Sequence, residues 1–431
     1  MEIKDLYSIY SEHPTICTDT RKIIPGCIFF ALKGDNFDGN VFASQALKDG
    51  AAFAVIDKPE NKTSDKFILV IDVLTALQQL ANYHRKTLSI PFIGITGTNG
   101  KTTTKELIKS VLSEKYTTYA TLGNLNNHIG VPLTILSIDK HVEIAIIEMG
   151  ANHQKEIAQL CEIAEPDFGL ITNVGKAHLE GFGGFKGVKK GKGELYDFLK
   201  ENGGITFLNR DNLYLTDMAI DKKLSNIEYY STNSSSAIKG ELIENNPFLI
   251  IDWVSDSTRN RVKTHLTGPY NLENILAAIA IGKHFKLTNE EINQGITSYN
   301  PGNNRSQVKK TENNTLICDY YNANPSSMNA AIDNFATLSA SNKVLILGDM
   351  FELGEESDLE HLMVMQKALA TPANERIFIG KQFSQNQNQE GRFYTTIEEA
   401  FEGIKSKPLR NATILIKGSR GMALEKLVEL L

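Results

Sequence analysis

A chain of 431 residues holds roughly two to four domains and is too long for one small binding module. Hydrophobic residues make up 41% and charged residues 22%, ordinary proportions for a globular chain, which exclude wholesale disorder and collagen-like repetition. Lys plus Arg number 45 against 51 Asp plus Glu, a net charge of −6, so the surface lacks the broad positive field that general nucleic-acid binding requires.

The start, MEIKDLYSIYSEHP, lacks the basic and apolar regions of a secretion signal, and no apolar run reaches the length of a membrane span, so a cytoplasmic protein without stable membrane insertion is expected. Residues 1–88 alternate short apolar runs, CIFFAL (27–32), AAFAVID (51–57) and KFILVID (66–72), with polar helical stretches, and predict a small α/β unit. Pro91 introduces FIGIT, a run of strand length. A glycine-rich turn follows, then KTTTKELIKSVLSEK, in which Leu107, Ile108, Val111 and Leu112 share one helical face. The runs EIAIIE (143–148), FGLIT (168–172) and GITFLN (204–209), separated by helix-length segments, predict a parallel sheet with crossovers. STNSSSA (231–237) predicts a surface hairpin loop, and NLENILAAIAIGKHF after Gly268-Pro269 a buried helix.

The turn-forming NPGNN (300–304) marks a linker. Beyond it TLICDY (315–320), KVLILGD (343–349), RIFIG (376–380) and TILIKGS (413–419) alternate with helical stretches, as in a doubly wound sheet. The expected class is α/β in three domains: residues 1–88, residues 89–299 with a parallel sheet and a phosphate loop, and residues 300–431, Rossmann-like. Cys17, Cys27, Cys161 and Cys318 are scattered, with no CxxC pair and no zinc-ligand spacing, and read as reduced structural thiols.

The sharpest local signal is Thr96-Gly97-Thr98-Asn99-Gly100-Lys101-Thr102-Thr103. Backbone amides of a glycine-rich turn at a helix N-terminus cradle an anion, Lys101 reaches terminal phosphates, and the Thr102 hydroxyl suits Mg²⁺. The full Walker pattern wants glycine five residues before Gly100, where Ile95 stands, and the plain alternative is a glycine turn joining a strand to a helix.

This shorter loop resembles that of the Mur ligase family. IEMGANH (147–153), TNVGKAHLEGFG (172–183) and Lys192-Gly193-Glu194 are similar to further motifs of that family. Within the family, TLGNLNNHIGVPLT (121–134), DYYNANPSSM (319–328), GDMFELGEES (348–357) and IKGSRGMALE (416–425) look most like the ligase that adds D-alanyl-D-alanine to UDP-N-acetylmuramoyl-tripeptide during peptidoglycan precursor synthesis. CTDTRKIIPGCIFFALKGDNFDGNVF (17–42) resembles its uridine-nucleotide segment, with Thr20, Arg21, Lys33 and Gly39 at motif positions. Two departures stand out: the family's D-G-H is Asp38-Gly39-Asn40 here, and its G-x-H-N is Gly268-Pro269-Tyr270-Asn271.

The resemblance implies an ATP-dependent, Mg²⁺-requiring carboxylate–amine ligase that works through an acyl phosphate, as a monomer. By it, Gly97 to Thr103, Asn271, Arg305 and Asp319 hold ATP, and Asn126, Asn127, Asn322, Asn324, Lys417, Ser419 and Arg420 hold the other substrates. Thr102, Glu148, His178 and Lys192 serve the metal, Lys192 as a carbamate made from CO₂. Lys101, Lys192, His178 and Arg305 carry the chemistry. Read without the resemblance, His178 is a partly buried histidine satisfied by a carbonyl. Likewise Lys192 belongs to a solvated basic loop, Asp319 to Asn324 form an Asx turn, and Lys417 to Arg420 form a surface turn. Three other readings compete: a Mur or folylpolyglutamate-type ligase with a different amino acid, a P-loop NTPase switch, and a non-catalytic scaffold with a decayed site.

Overall fold

The computed structural model describes residues 1–233 and 236–431. Three main sheets organise the chain. The amino-terminal one has four parallel strands, in spatial order Ile16–Cys17, Ile28–Phe30, Phe53–Ile56 and Phe67–Leu69. The long helix Val73–Thr87 follows, its N-terminus capped by the Asp72 side chain, which accepts from the Thr75 amide. Its apolar stripe packs into one continuous core with the central unit: Leu77, Leu80 and Ala81 share a cluster with Val131, Ile135 and Ile157.

The central sheet has nine strands, and its middle explains the site. Phe92–Thr96 is flanked by Ile144–Glu148 on one side and Phe168–Ile171 on the other, all parallel, with Ile95 opposite Glu148 and Thr96 opposite Ile171. Every residue of Phe92–Thr96 is buried, as a strand covered on both faces requires, which is why it reads as a continuous apolar run instead of an alternation. One face is covered by Lys101–Leu112 and Asn271–His284, the buried helix the sequence predicts.

The expected parallel sheet is extended by an addition the sequence reading does not contain. Ile238–Asn245, Leu249–Ser255 and Thr258–Lys263 pair antiparallel in turn at the edge. Ile238–Asn245 pairs in parallel with Ile227–Ser231, so the strands flanking STNSSSA are not arranged as a hairpin, and residues 234 and 235 of that stretch lie outside the described residues.

The carboxyl-terminal sheet runs Gln307–Lys310, Asn314–Asp319, Ala412–Lys417, Lys343–Gly348, Glu375–Ile379 and Arg392–Tyr394, parallel except for the first strand, with an apolar cluster on each face. All four cysteines are buried and free, as expected. Among the described residues, no helix is long and apolar enough to cross a membrane.

Candidate functional site

The strand Phe92–Thr96 ends at Gly97, whose φ of +142° and close approach to the Thr172 hydroxyl leave no room for a side chain. The turn is clamped from the neighbouring strand end: the Thr98 amide donates to Asn173 O at 3.0 Å, the Asn99 amide to Asn173 Oδ1 at 2.9 Å, and Thr172 Oγ1 to Asn99 O at 2.6 Å. Gly100, at φ +79°, then opens Lys101–Leu112. Lys101 Nζ folds back onto Gly97 O (2.7 Å) and Thr98 O (3.1 Å). Burial, assisted by the Arg305 charge and opposed by Glu148, brings its pKa down to about 8. Beside the loop, Thr104 Oγ1 donates to Asn274 Oδ1, Asn274 Nδ2 to Asn271 Oδ1, and Asn271 Nδ2 to Thr267 O, so Asn271 ends a buried amide chain that fixes the loop helix against its neighbour.

Glu148 lies at the carboxyl end of its strand, where open α/β sheets put ligands, and is buried. Its Oε1 accepts from Thr102 Oγ1 at 3.2 Å and Asn126 Nδ2 at 2.9 Å, while Oε2 has no hydrogen-bond partner. Asn127 uses its side chain locally, accepting from the Ile129 and Gly130 amides.

These groups line one wall of a chamber of about 610 Å³ whose opposite wall comes from the third sheet. Thr98 to Thr103, Asn126, Asn127, Glu148, His178 and Asn271 line the first, and Arg305, Asp319, Asn322, Asn324 and Lys417 the second. The walls touch: Asn324 Nδ2 donates to Asn99 Oδ1 at 2.8 Å. Asn324 is also the N-cap of Pro325–Thr337, with Ser327 completing a capping box, so a helix start holds it in place. Arg305 lies 3.8 Å over the Tyr321 ring, and its Nε is buried without a hydrogen-bond partner. Asp319 pairs with the buried Lys417 at 2.7 Å and also accepts from the Ser306 amide. Ser419 lies outside the chamber wall and holds two backbone segments, donating to Ala323 O and accepting from the Phe351 amide. Arg420 is exposed beside Glu425.

Lys192 lies on the helix Phe185–Glu201, which corrects the plain reading of a solvated basic loop. Only 2% exposed, it has Nζ 3.3 Å from Ala151 O and 5.1 Å from the Phe182 ring centre. Burial, with Lys101 adding to it, pushes the amine well below its ordinary pKa. His178, at φ +50°, pairs through Nδ1 with Glu352 of the third unit. Burial lowers its pKa while Glu352 opposes the shift. Among the described residues, no three His, Cys, Asp or Glu side chains gather as a metal cluster.

Three family profiles match in order along the chain: the catalytic domain of the Mur ligase family over residues 14–85, the Mur ligase middle domain over 95–282, and the Mur ligase glutamate ligase domain over 304–420. The chain belongs to the Mur ligase family. This Mur ligase is 34% identical over 439 residues to the UDP-N-acetylmuramoyl-tripeptide--D-alanyl-D-alanine ligase of Bacillus subtilis (strain 168), with 96% of this chain and 92% of the relative covered. It is 35% identical over 432 residues to the ligase of the same name from Escherichia coli (strain K12), covering 96% and 93%. Its fold superposes on the crystal structure of MurF from Acinetobacter baumannii with a TM-score of 0.87 at 29% identity, covering 96% and 92% of the two chains. MurF from Thermotoga maritima in complex with ADP gives 0.86 at 25% identity, covering 96% of each.

The amino-terminal residues of this Mur ligase lie apart from the chamber. Arg21 is exposed and paired with Asp19, Thr20 begins the same short turn, and Lys33 pairs with Asp57 at 2.8 Å. Gly39 packs against the backbone of Ala31 and Leu32, with a built Cβ only 2.5 Å from Leu32 O. Asn40, where the family has His, is buried and donates from Nδ2 to both Asp38 and Asp57. Tyr270, the second departure, donates to or accepts from Ser306 Oγ at 2.8 Å and lines the chamber.

Sequence reasoning missed Thr172 and Asn173, which clamp the loop, and Glu352, Glu356 and Glu360 of the third unit, which pair with His178 and Lys176. It also missed Lys105, whose signal was its place four residues after Lys101 on the same helical face.

Proposed function

We propose that the chain joins D-alanyl-D-alanine to UDP-N-acetylmuramoyl-tripeptide with ATP, through an acyl phosphate, in peptidoglycan precursor synthesis. The observation that carries the reading is the chamber, in which the phosphate loop faces Arg305, Asp319 and Lys417 of another unit. The ligases named for this reaction that match nearly the whole chain, and the ADP complex of a similar fold, support it. Three units divide the work: residues 1–88 take the uridine nucleotide through Thr20, Arg21, Lys33 and Gly39, residues 89–299 take ATP, and residues 300–431 bring the dipeptide. A reaction that consumes ATP and a uridine nucleotide belongs in the cytoplasm.

A carboxylate resists amines because its negative charge is delocalised, so its oxygen must first receive a phosphoryl group. Lys101 and Arg305 neutralise the transferring phosphoryl group and the approaching carboxylate. Arg305 is suited to this because stacking on Tyr321 fixes its plane while no hydrogen bond occupies Nε. Thr102 Oγ1 and both oxygens of Glu148, one of them without a hydrogen bond, are hard donors that fit Mg²⁺. Bound there, Mg²⁺ supplies charge neutralisation at the phosphate oxygens. Lys192 fits a carbamate because carbamate formation needs a neutral amine: nitrogen attacks CO₂, the N–C bond forms and a proton leaves. Its burial favours the neutral form. The resulting anion and His178 are suited to a second Mg²⁺. The dipeptide is assigned to the side of Asn322, Asn324, Lys417 and Arg420, with Ser419 supporting that side through its bonds to Ala323 O and the Phe351 amide.

Phosphate release from ATP should require both UDP-N-acetylmuramoyl-tripeptide and D-alanyl-D-alanine. Release with a single amino acid in place of the dipeptide would select another ligase of the family, and release with neither substrate a switch.

A further inference from the structure

Lys105 lies one turn behind Lys101 and is 0% exposed. Its Nζ faces three acceptors: Thr121 O at 2.5 Å, Glu106 Oε1 at 3.0 Å and, beyond hydrogen-bond range, Glu148 Oε2 at 3.6 Å. That Glu148 oxygen is the one without a hydrogen bond. An ammonium so enclosed cannot swing away, so the rear of the Glu148 carboxylate always meets a positive charge. Lys101 and Arg305 line the same chamber as Glu148, and Lys101 feels the charge of each. The loop end of the chamber therefore sets three cations, Lys105, Lys101 and Arg305, against two carboxylates, Glu148 and Glu106. A free divalent cation entering there meets net repulsion, whereas a triphosphate reverses the sign of the site.

We infer that Lys105 is a positioning residue that keeps Glu148 compensated until nucleotide arrives, so that a divalent cation binds Glu148 and Thr102 only together with the triphosphate. The inference rests on the reading of those two side chains as cation ligands.

The test is Mn²⁺ binding to the full chain, followed by electron paramagnetic resonance with and without a non-hydrolysable ATP analogue. The wild type should bind Mn²⁺ tightly only with the analogue. Lys105→Met removes the charge, and Lys105→Gln removes it while keeping a donor for Thr121 O. Each should bind Mn²⁺ without nucleotide at least about tenfold tighter than the wild type, about 1.4 kcal/mol. A purely structural role would lower thermal stability without creating that binding. Folded variants that bind nucleotide-free Mn²⁺ no better than wild type overturn the inference. So does a wild type that binds Mn²⁺ equally well with and without analogue, a result that needs no variant to fold. A wild type that binds no Mn²⁺ even with analogue overturns instead the reading of Glu148 and Thr102 as ligands.

Discussion

Lys101 is a cation in a place where burial works against its charge, and the loop carbonyls of Gly97 and Thr98 hold it until a phosphate can. Because its pKa lies at about 8, a growing share of the protein carries a neutral Lys101 as pH rises through that value. A triphosphate favours the ammonium, so ATP affinity should fall above about pH 8 and binding at pH 9 should take up a proton. Calorimetry in two buffers of different ionisation heat measures that uptake, and Lys101→Gln should abolish it. Lys101→Ala should lower acyl phosphate formation by more than about a hundredfold with unchanged circular dichroism; a loss under about tenfold, or 1.4 kcal/mol, would remove its assigned role. The placement of Lys101 and Thr102 at the start of a helix was legible because one octapeptide holds them. The partnership of His178 with Glu352 was not, since nothing local in either segment records a contact between residues so far apart in the chain.

The helix Phe185–Glu201 shows how an element decides what a residue can do. Val188, Lys192, Leu195, Tyr196 and Leu199 are buried at helical spacing, so Lys192 occupies an apolar stripe while Lys190 points to water. The run of lysines hid that stripe from a reading by composition, although its period was there to be counted. Lys192→Ala should cripple ligation and recover in part with acetate, which can fill the position of the proposed carbamate. Lys189→Ala and Lys190→Ala should change turnover little, and equal losses for all three would remove the carbamate from the mechanism. The loop turn yields a second test. Gly97→Ala places a methyl group against the Thr172 hydroxyl at a φ that L-residues avoid, so it should lower stability by about 1–3 kcal/mol and weaken nucleotide binding. Adding Thr172→Ala should restore part of each, read by thermal melting and nucleotide titration. The strands carrying the site were legible as continuous apolar runs. The added edge was not: in Thr258–Lys263 only Val262 is buried, too thin a signal for an alternation.

At the scale of the whole molecule the second and third units are joined across the chamber by Asn99–Asn324, by Lys176 with Glu360 at 2.6 Å, and by Asn245–Asn334 at 2.8 Å. We expect these units to move as rigid bodies about NPGNN. Glu360 is almost fully buried, so Lys176→Ala leaves a carboxylate without its cation and should favour an open form. X-ray scattering should then show a larger radius of gyration without ligands, recovered with nucleotide and tripeptide substrate; an unchanged radius would count against the hinge. The sequence leads to the expectation of three units with a turn before the last, but no motif records which amide of one unit reaches the loop of another. The Asn99–Asn324 bond has a kinetic consequence. In the proposed function the triphosphate lies along the loop that Asn324 touches, so the walls are expected to part before nucleotide enters. Association observed by stopped flow should therefore level off as ATP concentration rises, at the rate of wall opening, and Asn324→Ala should raise that plateau.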